Sequence, residues 1–145
     1  MARIVKSIDI DASPENVFNY ATNAATQPDW VKFLREIEIT AGDGRSKDTT
    51  DRCVIKLGPR AQAVEAVWTE YDPPRTFARK ATSGMEMEGR MTFEASDAGT
   101  RVQWAIRYRP PMGPMGLMVD ALFMSRVFQN EIEESLESLK AQLEG

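Results

Sequence analysis

Three large aromatic residues occupy positions from which they could hold a flat apolar molecule. Trp104 and Tyr108 lie on the apolar side of an alternating pattern, and Trp68 lies on the apolar side of an earlier one. Alternation of period two places such side chains on one face of a β-sheet, where the rings can stack on a ligand and the tyrosine hydroxyl can hold its polar group. The alternative interpretation is that all three residues simply fill the core.

The use of methionine favours a ligand site. The chain has 8 methionines among 145 residues, and Met85, Met87 and Met91 share one face of a predicted strand. The unbranched thioether adapts to ligands of varied shape, although it fills irregular core space equally well. The candidate ligand-binding residues are Trp68, Met85, Met87, Met91, Phe93, Trp104, Ile106, Tyr108, Met118, Leu122 and Ser125.

The absence of histidine limits the catalytic chemistry of the chain. It excludes Ser-His-Asp and Cys-His mechanisms and every histidine-ligated metal site. The sequence has no Gly-rich phosphate-binding loop and no dense Asp/Asn/Gly loop for a cation, so we predict no cofactor and no metal. Alternation places only Tyr108, with Ser125 and Arg126, near a pocket. Those groups are too few for an acid–base pair, and we predict no catalytic residue.

Charge and cysteine content disfavour several other classes of protein. A net charge of -4 with scattered Lys and Arg argues against nucleic acid as a partner. No apolar stretch reaches about 18 residues, so we predict no membrane-spanning helix. No apolar signal region precedes the strand pattern that starts at Arg3. The single cysteine, Cys53, cannot form an internal disulfide and fits a reducing compartment, so we expect a cytoplasmic protein.

Apolar periodicity predicts one strand, two short helices and then a run of strands. The first strand covers residues 3–11, and Ser13 caps a helix that starts at Pro14. A second helical turn, at 25–30, leads into an apolar cluster that begins at Trp30 and plugs one end of the core. Six further strands are predicted at 36–41, 51–57, 61–71, 76–82, 85–95 and 101–109. Closely spaced strands without intervening helices indicate an antiparallel meander.

A long helix at 114–143 is expected to close the structure. Its first half is rich in large apolar residues up to Phe128, and its second half keeps Ile132 and Leu136 on one face. About thirty residues of helix run roughly 45 Å, enough to cross a small domain. We predict that this helix covers the apolar face of the sheet and leaves a cavity beneath its apolar half. The loop at 110–116 could form the mouth of that cavity, or a contact with a membrane or a second copy.

Five short segments resemble one protein family. They are the helix entry Ala12–Phe18, the pair Asp29-Trp30, the turn Asp72–Thr76, the hairpin Gly99–Val102 and the helix ending Ser135–Lys140. Together with the order of elements, they resemble the START-like superfamily in its polyketide cyclase/dehydrase and lipid transport branch. The resemblance covers nearly the whole chain.

This resemblance implies an α+β helix-grip fold, in which a seven-stranded antiparallel sheet wraps around a long C-terminal helix and two short helices follow strand 1. It also implies a single START-like ligand-binding domain over residues 1–145. Members bind lipids, polyketides, isoprenoids or quinone-like molecules in an internal apolar cavity. We therefore expect binding or transport of a hydrophobic small molecule. The alternative is a polyketide aromatase/cyclase or dehydratase acting in the same cavity, and association into a homodimer stays open.

Overall fold

The first strand, β1 (Ala2–Ile10), sets the alternation on which the sheet is built. In the computed structural model, which describes residues 2–58, 60–109 and 118–144, Ile4 and Ile10 of this strand are buried and Arg3 is exposed. The remaining elements are α1 (Pro14–Thr22), α2 (Gln27–Trp30), β2 (Leu34–Ala41), β3 (Thr50–Leu57), β4 (Arg60–Asp72), β5 (Thr76–Ser83), β6 (Met87–Ser96), β7 (Gly99–Tyr108) and α3 (Met118–Glu144). These bounds agree with the predicted strands to within a few residues.

The seven strands form one antiparallel sheet in the order β1-β7-β6-β5-β4-β3-β2. Consecutive strands from β2 to β7 are neighbours, and β1 pairs with β7 from Ala2↔Tyr108 to Ile10↔Thr100. The crossover from β1 to β2 contains α1 and α2, and α3 follows the last strand. This arrangement confirms the predicted helix-grip fold.

Helix α1 forms as its sequence predicted. The hydroxyl of Ser13 accepts a hydrogen bond from the backbone N–H of Asn16 at 3.3 Å, and Pro14 occupies the first turn, where its missing N–H costs nothing. The buried side of the helix carries Val17 and Phe18. The ring of Phe18 packs edge-on against Phe93 of β6, with 5.1 Å between centroids, so α1 is fixed over the inner face of the sheet.

Two boundaries differ from the sequence-based prediction. Helix α2 is shorter than 25–30, because the backbone N–H groups of Thr26 and Gln27 both bond to the carbonyl of Asn23 in a preceding turn. Strand β6 starts two residues after Met85, because Gly84 adopts a φ of +92° and turns the chain there.

Helix α3 packs against the sheet through a line of buried residues: Phe128, Ile132, Leu136 and Leu139. Polar contacts also fix its position. Ser135 Oγ accepts a hydrogen bond from the backbone N–H of Lys32 at 2.8 Å, and Lys6 of β1 pairs with Glu133 at 2.6 Å. Lys6, which lies on the same face of β1 as the buried Ile4 and Ile10, therefore reaches the helix.

The predicted loop at 110–116 and the first predicted helical residues, 114–117, lie outside the described residues. The side chains of residues 118–122 lie outside them as well. Among the helices that are described, none combines the length and the apolar character needed to cross a bilayer.

Candidate functional site

A cavity of about 70 Å³ lies between the inner face of the sheet and the helices α1 and α2. Strands β3 to β7 supply most of its wall, and the chain from Gln27 to Leu34 closes one side. Within the described residues, its lining consists of Ala21, Gln27, Trp30, Val31, Phe33, Leu34, Cys53, Ile55, Val64, Ala66, Phe77, Arg79, Ala81, Met87, Glu88, Gly89, Met91, Trp104 and Ile106. Most of these residues are apolar, so the cavity favours an apolar occupant.

Four of the predicted site residues lie together in this lining: Met87, Met91, Trp104 and Ile106. They come from two adjacent strands, whose register pairs Met91 with Trp104 and Gly89 with Ile106. Alternation along each strand predicted the face correctly, and the pairing of β6 with β7 brings the two rows side by side.

Four other predicted site residues lie in the core outside this lining. Trp68 is fully buried and stacks on Tyr71, with 5.8 Å between ring centroids. Phe93 packs under α1, and Tyr108 packs edge-on against Phe128 of α3 at 4.8 Å. Met85 is half-buried before β6. Alternation assigns a side chain to a face, but it does not show which part of a curved strand borders a void.

Helix α3 carries the remaining three predicted site residues. The side chains of Met118 and Leu122 lie outside the described residues. Ser125 is half-buried, and its hydroxyl accepts a hydrogen bond from Gln129 Nε2 at 3.2 Å, one turn further along α3. Ser125 is not part of the described lining.

A buried ion pair, which the sequence analysis did not single out, forms the polar end of the cavity. Arg79 donates from Nη2 to Asp51 Oδ1 at 2.6 Å and from Nε to Oδ2 at 2.9 Å. The side chain of Asp51 is fully buried, and Trp68 Nε1 donates to the same Oδ2 at 2.8 Å. Three donors therefore hold this carboxylate, and both of its oxygens are hydrogen-bonded.

Cys53 completes the polar end, with its sulfur 3.8 Å from Arg79 Nη2. Burial raises the pKa of the Cys53 thiol, and the nearby guanidinium offsets only part of that rise. Burial alone would lower the pKa of Arg79, but the charge and hydrogen bonds of Asp51 outweigh it and raise that pKa. The site thus holds a charged arginine, its counterion and a neutral thiol.

A sequence signal for this site existed. Asp51 lies two residues before Cys53 and four before Ile55, so the three side chains belong to the same face of β3. By the same alternation, Arg79 belongs to the same face of β5 as Phe77 and Ala81. A charged residue at a position that alternation assigns to the core is the informative exception, because such a residue needs a partner there.

Trp30 closes the cavity at the end of α2 and is 1% exposed. Its ring packs on Trp104 with 5.4 Å between centroids, and Trp104 stacks on Phe33. Within the described residues, no acceptor lies within hydrogen-bonding distance of Trp30 Nε1. Beside it, Gln27 is satisfied in part, since its Nε2 donates to the carbonyl of Ala21 at 3.3 Å. The predicted plug of the core is therefore also a wall of the cavity.

The described part of the chain contains no group of three or more Cys, Asp or Glu side chains placed to hold a metal ion.

Solved structures share this fold. A protein from Thermus thermophilus superposes with a TM-score of 0.83 at 21% identity, covering 98% of this chain and 97% of that one. A START superfamily protein from Mycobacterium smegmatis gives a TM-score of 0.77 at 16% identity, with 98% and 97% covered. The Aha1 dimer from Colwellia psychrerythraea gives 0.68 at 18% identity, with 99% and 96% covered. At these identities the likeness establishes the fold.

Sequence comparison identifies the family. No protein of curated function matches the chain. Residues 1–144 match the family described as polyketide cyclase / dehydrase and lipid transport, which agrees with the resemblance in the short segments. The chain belongs to that family.

Proposed function

We propose that this protein binds a hydrophobic small molecule in the cavity beneath its sheet. The observation that carries the proposal is an apolar cavity lined mostly by core residues, with Arg79 of the buried Asp51–Arg79 pair in its wall. Protein interiors are close-packed, so a void with a built polar end indicates a place for a ligand. Membership of a family that includes lipid transport supports the same function.

The size of the cavity limits what it holds without rearrangement. Its volume of about 70 Å³ is roughly half that of an engineered cavity of about 150 Å³ that binds benzene. A larger ligand requires neighbouring side chains to move. Met87 and Met91 suit that role, because an unbranched thioether changes rotamer at low cost. We infer that these two methionines line the part of the site that expands.

The alternative function, a polyketide aromatase/cyclase or dehydratase, has less support from the geometry. Such catalysis needs an acid and a base that face the cavity. Among the described lining residues the titratable side chains are Cys53, Arg79 and Glu88. The thiol is held neutral, the guanidinium is paired with Asp51, and Glu88 pairs with Arg107 at 3.0 Å. Binding therefore accounts for the site better than acid–base chemistry.

The test combines native mass spectrometry with a titration. The purified protein is analysed intact and after organic extraction, which reports any co-purified molecule and the number of protomers together. Protein labelled with [¹³C-methyl]methionine is then titrated with methylenecyclohexane, a small neutral hydrocarbon. We expect saturable shifts of the Met87 and Met91 methyl resonances. A protein that carries no extractable molecule and shows no such shift would overturn the proposal.

A cavity-filling variant locates the binding. Ala81→Leu adds three carbons to a half-buried lining position, and we expect it to weaken methylenecyclohexane binding at least several-fold. Ala63→Leu makes the same change at an exposed position of β4 and should leave binding unchanged. Equal affinities in the two variants would place the hydrocarbon elsewhere on the protein.

A further inference from the structure

Two fully buried tryptophans, Trp68 and Trp30, differ in how their indole N–H groups are used. Trp68 Nε1 donates to Asp51 at 2.8 Å. Trp30 is as deeply buried, yet its Nε1 has no acceptor within the described residues. A buried donor without a partner is unfavourable, and most such groups in proteins are satisfied by protein, water or ligand. Since Trp30 lines the cavity, an occupant of the cavity is in position to supply the missing acceptor.

A second indole lies in the same wall, next to Gly89. An added Cβ at Gly89 would lie 3.3 Å from Trp104 Nε1 and 3.7 Å from Ile106, so glycine lets the Trp104 indole pack directly against the strand. Trp104 packs on Trp30, which places both rings at the same end of the cavity. The wall here consists of hydrogen-bond donors set in apolar surroundings.

The charge of the site indicates which acceptor it prefers. Arg79 spends two of its donor groups on Asp51, and the pair has no net charge. An anionic ligand would bring an uncompensated negative charge into an apolar cavity, which is strongly unfavourable. A neutral acceptor such as a carbonyl oxygen needs only a neutral donor, and an indole N–H supplies one.

We propose that the ligand is a neutral apolar molecule with a carbonyl-type oxygen, and that Trp30 Nε1 donates a hydrogen bond to this oxygen. The proposal rests on the proposed function, because it names the chemical class of molecule that the same cavity binds. Trp30 is a specificity-determining residue in this account, and the methionines of β6 contact the apolar remainder.

The test uses three probes of similar size: cyclohexanone, methylenecyclohexane and cyclohexanecarboxylate. None has an aromatic ring, so none produces a ring-current shift of its own. The chain has three tryptophans, and its ¹⁵N–¹H spectrum therefore contains three indole resonances. Trp30→Phe assigns one of them by its loss and retains an aromatic ring at that position.

We expect cyclohexanone to move the Trp30 indole N–H resonance downfield, and methylenecyclohexane to bind without that shift. Trp30→Phe should weaken cyclohexanone binding about threefold to tenfold relative to methylenecyclohexane, as for the loss of one neutral hydrogen bond. The shift of the Trp30 indole resonance is measured in the unmodified protein, so this part of the test holds even if Trp30→Phe does not fold.

The other outcomes separate the two proposals. If methylenecyclohexane binds but the ketone leaves the Trp30 resonance unmoved, water alone satisfies the indole, and the inference is wrong while the proposed function stands. Tighter binding of cyclohexanecarboxylate than of the ketone would contradict the proposal that the ligand's hydrogen-bond acceptor is neutral. If neither neutral probe binds and the protein carries no extractable molecule, the proposed function fails, and the inference fails with it.

Discussion

The guanidinium of Arg79 holds the fully buried carboxylate of Asp51 in a two-point ion pair at 2.6 and 2.9 Å. The two residues belong to β5 and β3, which are not neighbours in the sheet. Strand β4 runs between them, and its residue opposite Asp51 is Ala66. A small side chain at this crossing leaves room for Arg79 to reach across the inner face. The polar end of the cavity thus depends on three strands at once.

Asp51→Asn should strongly destabilise the protein. The substitution leaves the mostly buried guanidinium without its counterion, for which we expect a loss of about 3 kcal/mol in the free energy of unfolding. Urea denaturation of both proteins measures the loss. Asp72→Asn is the matched control, since it removes an exposed partner of Arg75 and should cost much less. Similar losses in the two variants would show that the Asp51 carboxylate is solvated.

The stability of the protein should depend on the ionisation of Cys53. The folded chain holds this proton to a higher pH than the unfolded chain does, because burial raises the pKa of the thiol. The contribution to stability is therefore complete below the unfolded thiol pKa of about 8.5 and falls as the pH rises through it. Urea denaturation under reductant, from about pH 7 to about pH 10, should show a decreasing difference between the natural protein and Cys53→Ala. A difference that stays constant or grows with pH would contradict the raised pKa.

Ser135→Ala should cost about 1–2 kcal/mol, although it removes one oxygen atom. The hydroxyl is buried in α3, accepts from the backbone N–H of Lys32 and donates to the carbonyl of Glu131 at 2.6 Å. Alanine leaves the Lys32 donor without its partner. Ser138→Ala, one turn later on the same helix, is the control and should change stability much less. Thermal or urea unfolding gives both values, and equal effects would argue that the Lys32 contact contributes nothing.

Much of the fold, and the inward direction of four residues of the cavity lining, could be predicted from local patterns. The parity of Met91 and Trp104 identified them as inward-facing, because side-chain direction in a strand follows from sequence position alone. The Asp51–Arg79 pair could not be predicted in this way. Its two residues are 28 positions apart, and they meet only because β4 pairs with both β3 and β5 in a particular register. For Trp30 only part of the environment could be predicted. Its burial was predicted, but the lack of an acceptor is a property of everything packed around it.

Gly89→Ala should weaken ligand binding without unfolding the protein. The new Cβ would lie 3.3 Å from Trp104 Nε1, so the indole, which lines the cavity, must shift by a few tenths of an ångström and change the shape of the wall. Glycine in a strand interior also contributes little to stability, so we expect the free energy of unfolding to change by about 1 kcal/mol or less. Cyclohexanone and methylenecyclohexane should both bind more weakly, as measured by the methionine methyl shifts. Arg90→Ala, the next position on β6 and exposed on the outer face, should leave both affinities unchanged. Unaltered binding in Gly89→Ala would show that ligands do not reach this part of the wall, and that Trp104 serves the core alone.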